Sequence, residues 1–131
     1  MIEETLAGKT IGSPDGSFVI GDWLDEGGTR RDLPIAPLHV HHREDEAWYV
    51  LEGRLGFRIG DEEVEAGTGA AVLVPAGRPH AYWNAGDRRA RYLIVMGPGT
   101  ARLVTEIHEL PAFDVEVLRE LFRTHDSELL A

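Results

Sequence analysis

Residues 37–53, PLHVHHREDEAWYVLEG, set three histidines and four carboxylates directly against an apolar, aromatic run. His39 and His41 lie two apart, so on a strand both point to one face. Glu46 has the opposite parity. It rejoins that face only if His42 to Asp45 turns and resets the phase, and four polar residues there suit a loop. From Glu46 onward, Glu46, Trp48 and Val50 fall on one side of a strand and Ala47, Tyr49 and Leu51 on the other. Both sides are apolar, which predicts a strand buried on both faces and carries Glu46 into an interior. A buried carboxylate is costly unless it is paired or bound to a cation, and two histidines facing it would hold that cation.

A second stretch, residues 69–84, GAAVLVPAGRPHAYWN, supplies another candidate donor. A buried strand over Ala70 to Val74 is expected to meet a Pro-Ala-Gly turn, followed by a strand from His80. On it His80, Tyr82 and Asn84 share a face. Three neutral imidazoles and one carboxylate suit one divalent transition metal ion (Fe, Mn, Ni, Co, Cu or Zn) better than Ca or Mg. An octahedral ion held by four protein ligands keeps two positions open for substrate, O₂ or water.

The rest of the chain narrows the chemistry. Among its 131 residues there is no cysteine, so thiolate ligands, Cys nucleophiles and disulfides are excluded. Lys9 is the only lysine, and Ser13, Ser17 and Ser127 lie in no nucleophile-elbow pattern. The net charge of −10 opposes binding to nucleic acid. The acidic start MIEETLAGKT lacks a signal-peptide pattern, and the longest apolar run, Tyr92 to Met96, is too short to cross a bilayer. A cytoplasmic protein without membrane contact is the expectation.

Up to about residue 110 the chain consists of short Val-, Ile-, Leu- and aromatic-rich runs broken by Gly, Pro and Asp every eight to twelve residues or so, an all-β pattern. Gly60-Asp61 reads as a hairpin tip, and the acidic run Asp61 to Glu65 as its solvated edge. GPG at Gly97 to Gly99 lacks the third glycine of a dinucleotide fingerprint and reads as a turn. Beyond Pro111, Val115, Leu118, Leu121, Phe122 and Leu129 fall on one helical stripe with Asp114 as N-cap. The expected division is therefore a β-barrel over 1–110 and one amphipathic helix over 111–131, packed on the barrel or on a partner.

Taken together, the two histidine stretches resemble the paired motifs of the cupin family. The first runs His-x-His, four residues, Glu, six residues, Gly, as His39, His41, Glu46 and Gly53. The second runs Gly, five residues, Pro-x-Gly, two residues, His, three residues, Asn, as Gly69, Pro75, Gly77, His80 and Asn84. One position departs: Leu33 stands where the family's first motif opens on glycine, a position that shapes a turn. The resemblance spans about residues 17–97, with Arg54 to Thr68 between the motifs. It implies a double-stranded β-helix (a jelly-roll barrel) with the metal inside, held by His39, His41, Glu46 and His80, and a homodimer.

It also implies a choice of activities. The three-His, one-Glu set is similar to that of quercetinase-like dioxygenases, with Glu46 as ligand or general base and Trp48 and Tyr82 either lining a pocket for a flat aromatic or enolisable small molecule or packing in the core. Alternatives are a metal-dependent sugar or hydroxyacid isomerase or lyase, which calls for Arg58 and Arg78 at the pocket mouth, and a non-catalytic binding module. His42 is expected to face solvent. His108 and His125, in the tail, are expected to have no chemical role.

Overall fold

The protein's fold, a computed structural model, describes residues 1–13 and 15–130. Its first hundred residues hold β1 (Thr10–Gly12), β2 (Val19–Asp25), β3 (Ala36–His41), β4 (Glu46–Glu52), β5 (Arg54–Ile59), β6 (Glu62–Gly67), β7 (Ala71–Val74), β8 (His80–Asn84) and β9 (Ala90–Met96). The remainder holds α1 (Pro98–His108), α2 (Val115–Thr124) and β10 (Ser127–Leu129). The strands form two antiparallel sheets, ordered β1-β2-β9-β4-β7 and β10-β3-β8-β5-β6. This is the expected all-β jelly roll.

Alternation builds the core between the sheets. Trp48 and Val50 of β4, Leu55 and Phe57 of β5, and Tyr92, Ile94 and Met96 of β9 are all buried there. Asp22 of β2 is buried too, neutralised by a two-pronged contact with Arg91 at 2.6 and 3.0 Å. Gly60-Asp61 joins β5 to β6, and acidic β6 is the exposed edge of its sheet, both as expected.

Two expectations of full burial fail for one reason. β7 is an edge strand whose Leu73 is 61% exposed, and Tyr49 on β4 is 45% exposed. Both residues belong to the outer face of their sheet, which is exposed at these positions, so apolar character on both sides of these strands does not signal two buried faces. Glu46 nevertheless points inward, because it shares parity with Trp48 and Val50.

The larger correction concerns residues 97–130. GPG is the start of a helix: Gly97 is the N-cap of α1 and Pro98 its first residue, where proline's missing N–H costs nothing. Glu44 crosses from the β3–β4 loop to complete that end. Its carboxylate accepts from Gly99 N (3.0 Å), Thr100 N (2.6 Å) and Thr100 Oγ1 (2.7 Å). Burial alone would push its carboxyl up, but these three hydrogen bonds hold it below the usual carboxylate range. A Cβ on Gly97 would collide with the Glu44 carboxylate, which is why small residues flank the proline.

The second helix is shorter than the sequence pattern suggests. Asp114 caps it as predicted, accepting from Glu116 N and Val117 N. It stops at Thr124; Asp126 then takes a left-handed conformation (φ 56°), and Ser127–Leu129 pairs with β3 as a strand. Leu118 and Phe122 are buried with Leu103 of α1, and Leu129 joins them from the strand rather than from a longer helical stripe. Val115 is 40% exposed and lies outside this cluster. Among the described residues no helix is long and apolar enough to cross a membrane.

Candidate metal centre

The four histidine and glutamate donors converge from both sheets. His39 and His41 come from β3, and His80 opens β8, where it is the cross-strand partner of His39. Glu46 opens β4 in the opposite sheet and reaches across the sandwich. The His42 to Asp45 loop separates β3 from β4, as the parity argument requires. All four side chains are buried, and their donor atoms lie within 4.8 Å of one another. Glu46 Oε1 is 2.9 Å from His80 Nε2 and 3.4 Å from His41 Nε2.

These residues fit a metal ion on two independent counts. Donors that share one ion at about 2.1 Å lie roughly 3–4 Å apart, the scale of this cluster. The second count is the tautomers. His39 Nδ1 lies 2.6 Å from the Pro37 carbonyl and His80 Nδ1 3.0 Å from the Arg78 carbonyl, and a carbonyl can only accept. His41 Nδ1 lies 2.7 Å from Ser127 Oγ. With the Nδ1 protons directed at these oxygens, the Nε2 atoms are the ones available as ligands.

Electrostatics agree with that assignment. Burial, and then the charges of His80 and His41, push His39 down to about 3, so its imidazole is neutral at pH 7. Burial alone would raise Glu46, but hydrogen bonds and charge from His41 and His80, whose Nε2–H groups face it in the metal-free protein, outweigh it and bring the carboxyl to about 2. A bound ion would take the place of those Nε2 protons. A neutral imidazole and an ionised carboxylate are the ligating forms.

The cluster opens on one side into a cavity of about 470 Å³, lined at that end by His39, His41 and Glu46. The barrel supplies Tyr82, Tyr92, Ile94 and Met96 to its walls, and the tail supplies Leu103, Ile107, Leu118 and Phe122. The Tyr82 and Tyr92 hydroxyls meet at 3.0 Å. Burial raises both phenols, Tyr82 well above 10 and Tyr92 to about 12, so both stay protonated donors at pH 7. Among the described residues no arginine or lysine lines this cavity.

The remaining sequence-selected residues fall as follows. Tyr82 lines the cavity, but Trp48 does not: it is 1% exposed and packs edge-on against Phe57, Tyr82 and His80 in the core. Arg58 and Arg78 are exposed beside the β5–β6 turn, where Arg58 donates to the Gly60 carbonyl, and neither lines the cavity. His42 is exposed as expected. His108 lines the cavity edge-on to Trp23, and His125 binds Glu106 at 2.7 Å.

The motif residues without donors shape turns. Gly53 sits at φ 79°, and a Cβ there would lie 2.6 Å from the Arg89 carbonyl. Asn84 ties the β8–β9 connection through Arg88 O and Gly86 N. Leu33 makes its turn without glycine, exchanging backbone hydrogen bonds with Arg30. Sequence reading missed Tyr92, although its alternation with Ile94 and Met96 could have placed it inward. It also missed Ser127, for which no local signal exists.

Comparison with known proteins agrees with this architecture. The family model described as "Cupin domain" matches residues 33–96. A protein of Methanocaldococcus jannaschii described as uncharacterized is 32% identical over 72 residues, 55% of this chain and 58% of that relative. The chain spans about three fifths of the length of the curated relatives it matches. The cupin domain of Schizosaccharomyces pombe Cnp3 superimposes with a TM-score of 0.59 at 14% identity, covering 73% of this chain and 63% of that one. A sugar phosphate isomerase of the cupin superfamily from Silicibacter pomeroyi gives 0.54 at 26% identity, covering 63% and 51%. The iron(II) form of HppE gives 0.52 at 28% identity, covering 61% and 43%. With both motifs in place, the two-sheet barrel around them and the family match over residues 33–96, that stretch of the chain is a cupin domain.

Proposed function

We propose that the protein is a metal-dependent dioxygenase acting on a small, uncharged aromatic or enolisable compound. One observation carries this reading: the His39, His41 and Glu46 side of the donor cluster faces a largely apolar cavity that, among the described residues, no lysine or arginine lines. At about 470 Å³ the cavity is of small-molecule size. A redox-active divalent ion such as Fe, Mn, Ni, Co or Cu would supply electron exchange between a bound compound and O₂, whereas Zn would supply Lewis acidity alone.

The chain's own residues then have distinct tasks. His39, His41, His80 and Glu46 hold the ion. The Glu46 carboxylate, ionised at pH 7, serves as ligand or accepts the proton that an enol or phenol loses on binding. The bonded hydroxyls of Tyr82 and Tyr92 leave one O–H proton to donate to a substrate oxygen from the cavity wall. Ile94, Met96, Leu118 and Phe122 exclude water and match a flat apolar body. Trp48 supports the site from behind, by packing on His80.

The isomerase reading has support in the 26% identity to the Silicibacter pomeroyi enzyme. It is weakened because, among the described residues, no lysine or arginine lines the cavity to meet a phosphate or carboxylate, and Arg58 and Arg78 lie elsewhere. The test is oxygen uptake by Fe-, Mn-, Ni-, Co- and Cu-loaded protein with flavonols, catechols and β-diketones, with His39→Ala as control. Uptake above that control by at least one loaded form is expected. Anaerobic turnover of a sugar phosphate or hydroxyacid, with no oxygen uptake by any form, would replace the dioxygenase with the isomerase or lyase.

A further inference from the structure

We propose that Ser127, on the strand that ends the described chain, is a positioning residue of the metal centre, fixing His41 in the tautomer that leaves Nε2 as ligand. His39 and His80 each take their orienting carbonyl from two residues upstream, Pro37 and Arg78. His41 takes its partner from 86 positions away. The tail thus completes a site whose other two imidazoles are oriented locally.

The hydrogen-bond roles at Ser127 follow from donor counting. Its Oγ lies 3.2 Å from the His125 carbonyl, which can only accept, so the serine proton goes there. The Ser127 lone pair is then left to accept from His41 Nδ1–H at 2.7 Å. With the proton held on Nδ1, Nε2 is the nitrogen turned toward Glu46 Oε1, 3.4 Å away, and the one left to ligate an ion.

The tail is held so that it can impose this. Ser127 and His41 are register partners in the β10–β3 pair, and Leu129 faces His39 in the same ladder. His42 N donates to the Asp126 carbonyl at 2.9 Å, pinning the left-handed corner that presents Ser127. His125 is tied to Glu106 of α1 at 2.7 Å. Ser127 itself is 3% exposed, so water does not readily substitute for its hydroxyl.

This inference rests on the four donors holding a metal, and it is tested by readouts other than turnover. The variants are Ser127→Ala, Ser127→Thr and Leu129→Ala, the last loosening β10 without touching His41 Nδ1. Zn²⁺ and Co²⁺ affinities are measured by chelator competition, and the His41 imidazole nitrogens by NMR of the metal-free and Zn²⁺-loaded proteins. Ser127→Ala is expected to weaken both affinities by about 10- to 100-fold, the usual effect of losing a ligand's orienting partner. It should also alter the Co²⁺ absorption bands and remove the hydrogen-bonded Hδ1 resonance of His41. Ser127→Thr should restore affinity to within about threefold of wild type and recover the resonance.

Unchanged affinity in Ser127→Ala would overturn the proposal. So would a loss in Leu129→Ala as large as that in Ser127→Ala with no rescue by threonine, because the effect would then be tail docking. A wild-type protein that binds neither ion but keeps the His41 Hδ1 signal would fail the metal reading itself, with the hydrogen bond intact, and so is told apart from failure of the Ser127 role.

Discussion

The barrel strands β3, β4 and β8 and the tail of α1, α2 and β10 divide the site unequally. The barrel provides all four donors, and their positions follow from strand parity and short loops. The tail provides no donor, yet it supplies Leu103, Ile107, Leu118 and Phe122 to the cavity and the hydroxyl beside His41. Phe122 stands edge-on to the His39 ring, with centroids 5.6 Å apart. Capacity to bind an ion is thus encoded locally, whereas the space beside it is made by chain that lies far away in sequence.

The sharpest way to break this comparison is to remove a barrel donor. Glu46→Ala and His80→Ala should each weaken divalent-metal affinity on the order of a thousandfold, about 4 kcal/mol. In wild type, metal at a hundred times its dissociation constant should stabilise the fold by about 2.7 kcal/mol, and both variants should lose most of that gain in a melting experiment. Full metal content in His80→Ala would refute the donor assignment.

Acid should act nearly as strongly on the metal-free protein. His39 is depressed from 6.5 to about 3, so the unfolded chain binds a proton that the folded one refuses. Stability from this residue is therefore complete above pH 6.5 and lost as pH falls toward 3, by about 3 kcal/mol at pH 4. Glu46 is also depressed, and its contribution, present above pH 4.5, is lost in the same direction as pH falls toward 2. Urea midpoints at pH 7, 5.5 and 4 would measure the slope, and a flat profile would contradict the burial assigned to His39.

The tail's side of the comparison is tested by Phe122→Ala. It should cost about 3 kcal/mol through the cavity left in the Leu103, Leu118, Leu129 cluster. It should also flatten the acid slope, because Phe122 helps to keep water from His39. Asp114→Ala, which removes only the cap of α2, should cost about 1 kcal/mol and leave metal affinity unchanged. The smallest effect is expected for His42→Ala, exposed on the loop between the donors: less than about 0.5 kcal/mol in stability and no change in bound metal.

These contrasts also explain which features were legible. His39, His41 and Glu46 could be assigned because period-two alternation and one four-residue loop fix their faces. Asp114 could be assigned as a cap because its partners are two and three residues on. α1 was missed because its start looks like a turn until Glu44, fifty-six positions from Thr100, closes it. β10 was missed because Leu129 fits a helical stripe as well as it fits a strand facing His39. Trp48 and Tyr82 share parity with donors, and parity cannot say which one meets the cavity and which one fills the core.

The sequence by itself determined the all-β class, the two motifs and the choice of His39, His41, Glu46 and His80 as candidate donors, because each depends on spacing along a few residues of strand and turn. Only the tertiary structure decided that two helices and a last strand flank the site, that among the described residues no lysine or arginine lines its cavity, and that Ser127 rather than a nearby carbonyl orients His41. Those features depend on which distant segments come to lie beside β3 and β4. That choice is made by burying Leu103, Leu118, Phe122 and Leu129 together, a long-range packing that no local period of the chain records.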